Sequence, residues 1–163
     1  MVKRILRHLL VSEIKLRRAF PERTLSAIER AIRESESGHR GEICFAVEAA
    51  LPLSALLRNT SARERAIEVF SQLRVWDTEA NSGVLVYVLL ADHDVEIVAD
   101  RGISARVEHA RWEGICADME AAFRAGSFER GVVSAIEKIG ALIAQHFPLG
   151  RGTNELSNRP VVL

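Results

Sequence analysis

Eight consecutive apolar side chains, VLVYVLLA from Val84 to Ala91, run without a charge through the middle of this chain. A strand with one wet face alternates apolar and polar residues, so a strand with no alternation must be covered on both sides. That requirement places the run in the interior of a sheet with helices above and below it. Asp92-His93 then reverses the chain into Asp94 to Asp100, where Val95, Ile97 and Ala99 alternate with Asp94, Glu96 and Asp100. The second strand of this hairpin therefore reads as antiparallel to the first, with one wet face.

The remaining segments supply the cover. Residues 41–49, GEICFAVEA, are β-branched and aromatic enough for a strand, with Ile43, Phe45 and Val47 on one face and Cys44 and Ala46 on the other. Helical spacing is clearest at Leu25, Ile28 and Ile32, at Ile67, Phe70 and Leu73, at Ile115, Met119 and Phe123, and at Phe128, Val132, Ile136, Ile139 and Ile143. Ser61 or Thr60 is placed to cap the second of these helices, because a side-chain oxygen there satisfies an otherwise orphaned amide. A helix between the first two strands requires a parallel crossover. The expected fold is an α/β three-layer sandwich with a mixed parallel and antiparallel sheet and helices on both faces.

A chain of 163 residues that is 48% hydrophobic is long enough for one core. We divide it into an amphipathic basic helix at 1–20, an α/β domain at 21–147 and a flexible tail at 148–163. The 22 basic and 22 acidic residues cancel, leaving no global field to hold a polyanion, and nucleic acid is not an expected partner. The charge is polarised, however. Residues 1–18 hold six basic residues against Glu13, whereas residues 77–101 hold six acids against Arg101. The N-terminal helix is thus a candidate for contact with an anionic membrane, or for packing on its own domain or a partner. Arg7, His8 and Glu13 interrupt any leader-like apolar run, and no uninterrupted apolar stretch reaches 18 residues. Cys44 and Cys116 form no CxxC pair. The expectation is a cytoplasmic protein, peripheral to the membrane if the basic helix binds there.

Trp76, the segment NSGVLVYVLLADHDVEIVADRGI, then Trp112, Met119 and Phe123, and finally GSFERGVVSAI occur in an order that resembles the TPM domain family. The family includes thylakoid-lumen photosystem-repair proteins, acetylcholine-receptor-associated proteins of nematodes and bacterial membrane-linked proteins. The likeness spans roughly residues 20 to 146. It implies an α/β domain, carries a phosphatase label from acid phosphatase activity attributed to some members, and associates others with divalent cations such as calcium. Extracytoplasmic members read Gly-aromatic-Gly-Leu-Glu after the return strand, where this chain has Asp100-Arg101-Gly102-Ile103-Ser104. The acid of that pattern is missing at Ser104, and the chain is more similar to stand-alone cytoplasmic members.

The candidate site lies at the start of the apolar strand. Asp77, Glu79 and Asn81 place oxygen-bearing side chains at every second position, a spacing that wraps a hard cation when the loop curls. The pattern is not an EF-hand, because Gly83 is seventh rather than sixth and Val88 stands where the bidentate carboxylate would be. An ordinary turn-forming loop uses the same residue types. Antiparallel pairing brings the start of one strand beside the end of its partner, which adds Asp100 to Asp77, Glu79 and Asn81 as metal ligands for Ca2+ or Mg2+. Arg101 is the candidate to clamp a phosphate beside such an ion. Asp92-His93-Asp94 reads as a hairpin tip rather than a metal or acid/base site, and the other histidines form no ligand pair.

Two functions follow from these residues taken together with what the resemblance implies. One is a TPM-type binding or adaptor module with a protein partner, linked to membrane-protein or envelope maintenance, whose acidic loop takes a divalent cation. The alternative is a metal-dependent acid-type phosphatase acting on phosphate esters. No Ser/His/Asp or Cys-x5-Arg arrangement accompanies it. A third role is that of a structural partner domain in which the N-terminal helix mediates dimerisation.

Overall fold

The computed structural model describes residues 2–11, 13–149 and 154–163. Its central feature is the strand β2 (Gly83–Leu89), in which every residue is buried. It pairs in parallel with β1 (Glu42–Glu48) and antiparallel with β3 (Asp94–Ala99). A two-residue strand, β4 (Val161–Val162), lies parallel to β1 on its other side, giving the order β3-β2-β1-β4. The chain reaches β2 from β1 through α4 (Leu53–Leu57) and α5 (Ala62–Gln72). It is a mixed sheet, as the apolar run requires.

The two faces of the sheet feed two cores. Ile43, Phe45, Val47, Val84, Val86, Val88, Val95 and Ile97 point to one side. There they meet α2 (Glu13–Ala19), α3 (Glu22–Glu36), α7 (His109–Arg124) and α8 (Phe128–His146). Cys44, Ala46, Leu85, Tyr87, Leu89 and Val98 point to the other, against α4 and α5. The layers are therefore helix, sheet, helix.

Several expectations about local structure require correction. The stripe of α5 that is fully buried is Ala62, Ala66 and Val69, while Ile67 is exposed and Phe70 and Leu73 pack at the margin. Small side chains let the helix approach Tyr87, a large and fully buried residue on the sheet face below. Ser61 caps α5, reciprocating with Glu64 in a capping box. The side of β3 that carries Asp94 and Glu96 is only partly wet. Arg63 of α5 reaches over it to Glu96 Oε2 at 3.2 Å and the Ile97 carbonyl at 2.6 Å.

The segment 1–20 is two helices, α1 (Val2–Leu10) and α2, rather than one. Met1 and Ser12 lie outside the described residues. The reason for the break is topological. Ile5 of α1 packs on the α4/α5 side, whereas Leu16, in the middle of α2, and Phe20, just beyond its end, pack on the other. A single straight helix cannot serve both layers.

The C-terminal segment, expected to be flexible, instead contributes β4 and buries side chains against the second core; residues 150–153 lie outside the described residues. Two acids hold it. Glu42 accepts the amides of Glu155 and Leu156, and Glu36 accepts the amide of Ile43 and the carboxamide of Asn158. No periodicity announces such a segment, because its order comes from these distant carboxylates. A second buried acid, Glu48, accepts from Tyr87 Oη at 2.7 Å and from Arg65 Nε at 2.8 Å, tying β1, β2 and α5 together. Every oxygen of that acid has a donor, which is what a buried charge needs.

Two measurements test this packing. A Cβ on Gly83 would lie 2.0 Å from the Val75 carbonyl oxygen, a backbone atom that cannot swing aside. Gly83→Ala is expected to cost about 1–3 kcal/mol in urea denaturation, with the fold retained. Burial raises the Glu36 carboxyl from 4.5 to about 7. The native state thus keeps a proton that the unfolded chain releases, and stability falls as pH rises from about 4.5 to about 7. Glu36→Gln should flatten that decline, by an amount on the order of 2 kcal/mol after allowance for partial exposure, as read from denaturation midpoints across the window.

Candidate functional site

The start of β2 and the end of β3 meet at one edge of the sheet. Ladder pairing sets Val84 opposite Ala99, so Asp100 falls beside Gly83 and its amide donates to the Gly83 carbonyl at 2.8 Å. The chain then turns into the short helix α6 (Arg101–Ser104). Asp100 caps it, Oδ1 accepting from the Arg101 amide at 2.7 Å. The preceding loop is closed by Thr78, whose carbonyl accepts from the Asn81 amide and whose hydroxyl accepts from the Ser82 amide. Asn81 turns there with φ 50°, a left-handed conformation that asparagine tolerates better than most residues.

These two pieces of chain are in direct contact. The Gly102 amide donates to the Asn81 carbonyl at 3.1 Å, and a Cβ at Gly102 would come within 2.5 Å of that oxygen. Only glycine permits so close an approach. Arg101 Nε donates to Asn81 Oδ1 at 2.9 Å. Of the residues expected to act together, Asn81, Asp100 and Arg101 are therefore neighbours.

The other two stay on the exposed loop. Asp77 pairs with Arg74 at 2.8 Å, and Glu79 is exposed, its backbone amide held by the Glu155 carboxylate at 3.1 Å. Among the described residues no three His, Cys, Asp or Glu side chains converge in a metal-binding group. The loop has its conformation from Thr78 and from the C-terminal segment, with no need of an ion to curl it.

One atom at this edge is anomalous. Asp100 is 9% exposed, and its Oδ2 is buried without a hydrogen-bond donor among the described residues. A buried carboxylate oxygen left bare loses its hydration with no return, and in native proteins such atoms are few. The positive charge nearest in sequence is Arg101, whose Nε is committed to Asn81. The edge thus offers one bare carboxylate oxygen on Asp100, next in sequence to the Arg101 that holds the Asn81 carboxamide oxygen; both are hard oxygen donors of the type Ca2+ or Mg2+ takes. At Ser104, where the resemblance expects an acid, the hydroxyl oxygen lies 2.8 Å from the carbonyls of both Ala99 and Asp100 and closes α6 instead.

Nucleophilic chemistry has little material here. Burial pushes the Cys44 and Cys116 thiols up to about 12, so neither is a thiolate near neutrality. His93 sits in the hairpin turn with φ 56°, in keeping with a turn role.

The opposite end of the sheet holds a cluster that the sequence reading did not assemble. Asp92 Oδ2 accepts from Arg4 Nε at 2.9 Å and from Arg4 Nη2 at 2.6 Å, and Arg7 binds Oδ1. His8, 3% exposed, accepts from the Leu51 amide through Nδ1 at 3.0 Å. Its Nε2 stands 3.1 Å from Asp92 Oδ1, at an angle poor for a hydrogen bond. The only sequence signal for this cluster was opposite charge in two segments more than 80 residues apart. Asp94, next along the strand, has its carboxyl raised to about 6 by burial, with help from Glu96, Glu120 and Asp92.

Comparison with known proteins agrees with this architecture. Among solved structures, the chain is similar to the BA42 protein of the psychrophilic bacterium Bizionia argentinensis, at 30% identity and a TM-score of 0.76, covering 86% of this chain and 93% of that one. The N-terminal domain of a protein from P. gingivalis shares the fold at 14% identity, with a TM-score of 0.62 and coverage of 80% and 82%. No curated protein sequence matches. Residues 16–142 match the TPM domain, and the chain belongs to that family.

Proposed function

We propose that this TPM domain is a binding module whose divalent-cation site is built on Asp100 and Asn81, and that it acts by engaging a protein partner at the membrane or envelope. The observation that carries the reading is the buried Oδ2 of Asp100, without a donor among the described residues, at the edge where Arg101 and Gly102 contact Asn81. A cation there would draw on Asp100 Oδ2 and Asn81 Oδ1, and Glu79 and Asp77 would add outer oxygens only if the loop moved and Asp77 left Arg74. Arg101 would have to release Asn81 as the ion enters, so the guanidinium holds the site in its cation-free form. Maintenance of membrane proteins from the cytoplasmic side suits a chain of which no described helix is long and apolar enough to cross a membrane.

A second reading, a metal-dependent phosphatase, draws on one specific feature. Only Nε of Arg101 is engaged among the described residues, which leaves the two terminal nitrogens of an exposed guanidinium to meet phosphate oxygens. It lacks an activated nucleophile, and for that reason the binding reading stands first.

Calorimetric titration with CaCl2 and with MgCl2 tests the cation site. The wild type should give saturable heat with at least one of the two ions. Asp100→Asn, which keeps a good helix cap, should lose it. Arg101→Ala removes a competing charge and should tighten binding by about fivefold, the effect of roughly 1 kcal/mol of relieved repulsion. A wild type that takes up neither ion would end this reading.

The phosphatase alternative makes a contrary prediction for the same arginine. If it holds, turnover of a generic phosphate monoester by highly purified protein disappears in Arg101→Ala, whereas activity unchanged by that substitution belongs to another site or another protein.

A further inference from the structure

Helix α1 is mounted inside out. An amphipathic helix on a soluble domain ordinarily buries its apolar stripe and shows its charges to water. Here Arg4 and His8 point inward to Asp92, with Ile5 beside them against the core. Val2, Leu6, Leu9 and Leu10 point outward and are 77%, 58%, 69% and 66% exposed. The short helix α4 packs next to α1 and adds Leu53 and Leu57, both more than half exposed, and Ile14 of α2 is exposed as well. Single exposed leucines are ordinary, but this many on two neighbouring helices form a patch of the kind that marks an interaction surface.

The orientation is fixed by bonds, not by chance of packing. Asp92 sits at the β2–β3 reversal and takes Nε and Nη2 of Arg4, Arg7 and the approach of His8, while the Leu51 amide donates to the other side of the imidazole. Turning α1 over to hide its leucines would strip Asp92 of these cations and leave a carboxylate 9% exposed without them. The charge around the patch is one-sided. Lys3, Lys15, Arg17, Arg18 and Arg58 are exposed, and Glu13 is the one acid before Glu22. Among the described residues, the ion pairs of this segment are made by Arg4, Arg7 and His8.

We propose that α1 and α4 form a peripheral docking surface for an anionic lipid bilayer, with the leucines entering the interface and the surrounding lysines and arginines meeting acidic headgroups. Charge complementarity decides for this occupant. A second copy of the chain would set the same cations against themselves, whereas a bilayer carrying phosphatidylglycerol or phosphatidylserine attracts every basic side chain near its surface. The leucines and the cations act together, as stable interfacial binding of a short helix requires. This surface is distinct from the Asp100 edge, and the two stand or fall separately.

Co-flotation with vesicles tests it. The full chain should float with vesicles of phosphatidylcholine mixed with phosphatidylglycerol, far less with phosphatidylcholine alone, and the bound fraction should drop as salt is raised. Leu6→Ser/Leu10→Ser changes only exposed positions. It should keep the wild-type circular dichroism and melting temperature while losing at least tenfold in partitioning. A folded wild type that stays soluble beside the anionic vesicles overturns the proposal, as does a double variant that floats as well as the wild type. So does light scattering that finds a wild-type dimer converted to monomer by the same substitutions, since a second copy would then cover the patch.

Discussion

The burial of β2 on both faces is the constraint from which the rest of the structure follows. Seven backbone-paired residues with no wet side need two sheet neighbours and two helical layers, and the chain supplies both. Because β1 joins β2 through α4 and α5, the pair is parallel, and because only the four-residue turn 90–93 joins β2 to β3, that pair is antiparallel. These two connections set the positions of both polar edges of the molecule. At one edge lie Asn81, Asp100 and Arg101, and at the other lie Asp92 and the residues it gathers.

Polar groups buried inside this frame do specific structural tasks. Glu48 ties Tyr87 to Arg65 across the second core, and Glu36 and Glu42 hold the C-terminal segment so that β4 can extend the sheet. Each has hydrogen-bond donors, which is the condition under which buried carboxylates are tolerated. Asp100 departs from that rule, with one oxygen capping α6 and the other bare. Asp92 obeys it by pulling in an entire helix. Two aspartates on either end of one strand thus have opposite consequences, one leaving an unmet need and the other exposing a leucine stripe.

Much of the sheet could be read from pattern alone. The parity of Ile43, Phe45 and Val47 against Cys44 and Ala46 separates the two cores as the strand period dictates, and the helices at 22–36, 109–124 and 128–146 carry their apolar residues where packing uses them. The α5 stripe did not follow the largest apolar side chains, since closeness to Tyr87 favoured Ala62 and Ala66. That the loop before β2 and the turn after β3 share one edge, where Asn81 meets Arg101 and Gly102, was legible because hairpin pairing fixes which strand ends face each other. The positions of Asp77 and Glu79 were not, since the Asp77 side chain is drawn to Arg74 and the Glu79 backbone amide to the distant carboxylate of Glu155.

The sequence by itself therefore determined the layers, the strand pairings and the edge at which a site could be built, because these depend on periodicities of two and 3.6 that survive in a one-dimensional string. Tertiary structure alone decided the split of the first twenty residues into two helices on opposite layers, the capture of the C-terminal segment, the bare oxygen of Asp100 and the outward turn of α1. Each of those depends on a charge or carbonyl far away in the chain, from Asp92 holding Arg4 to Glu36 holding Asn158. Such pairings have no period, and only folding brings their members within reach.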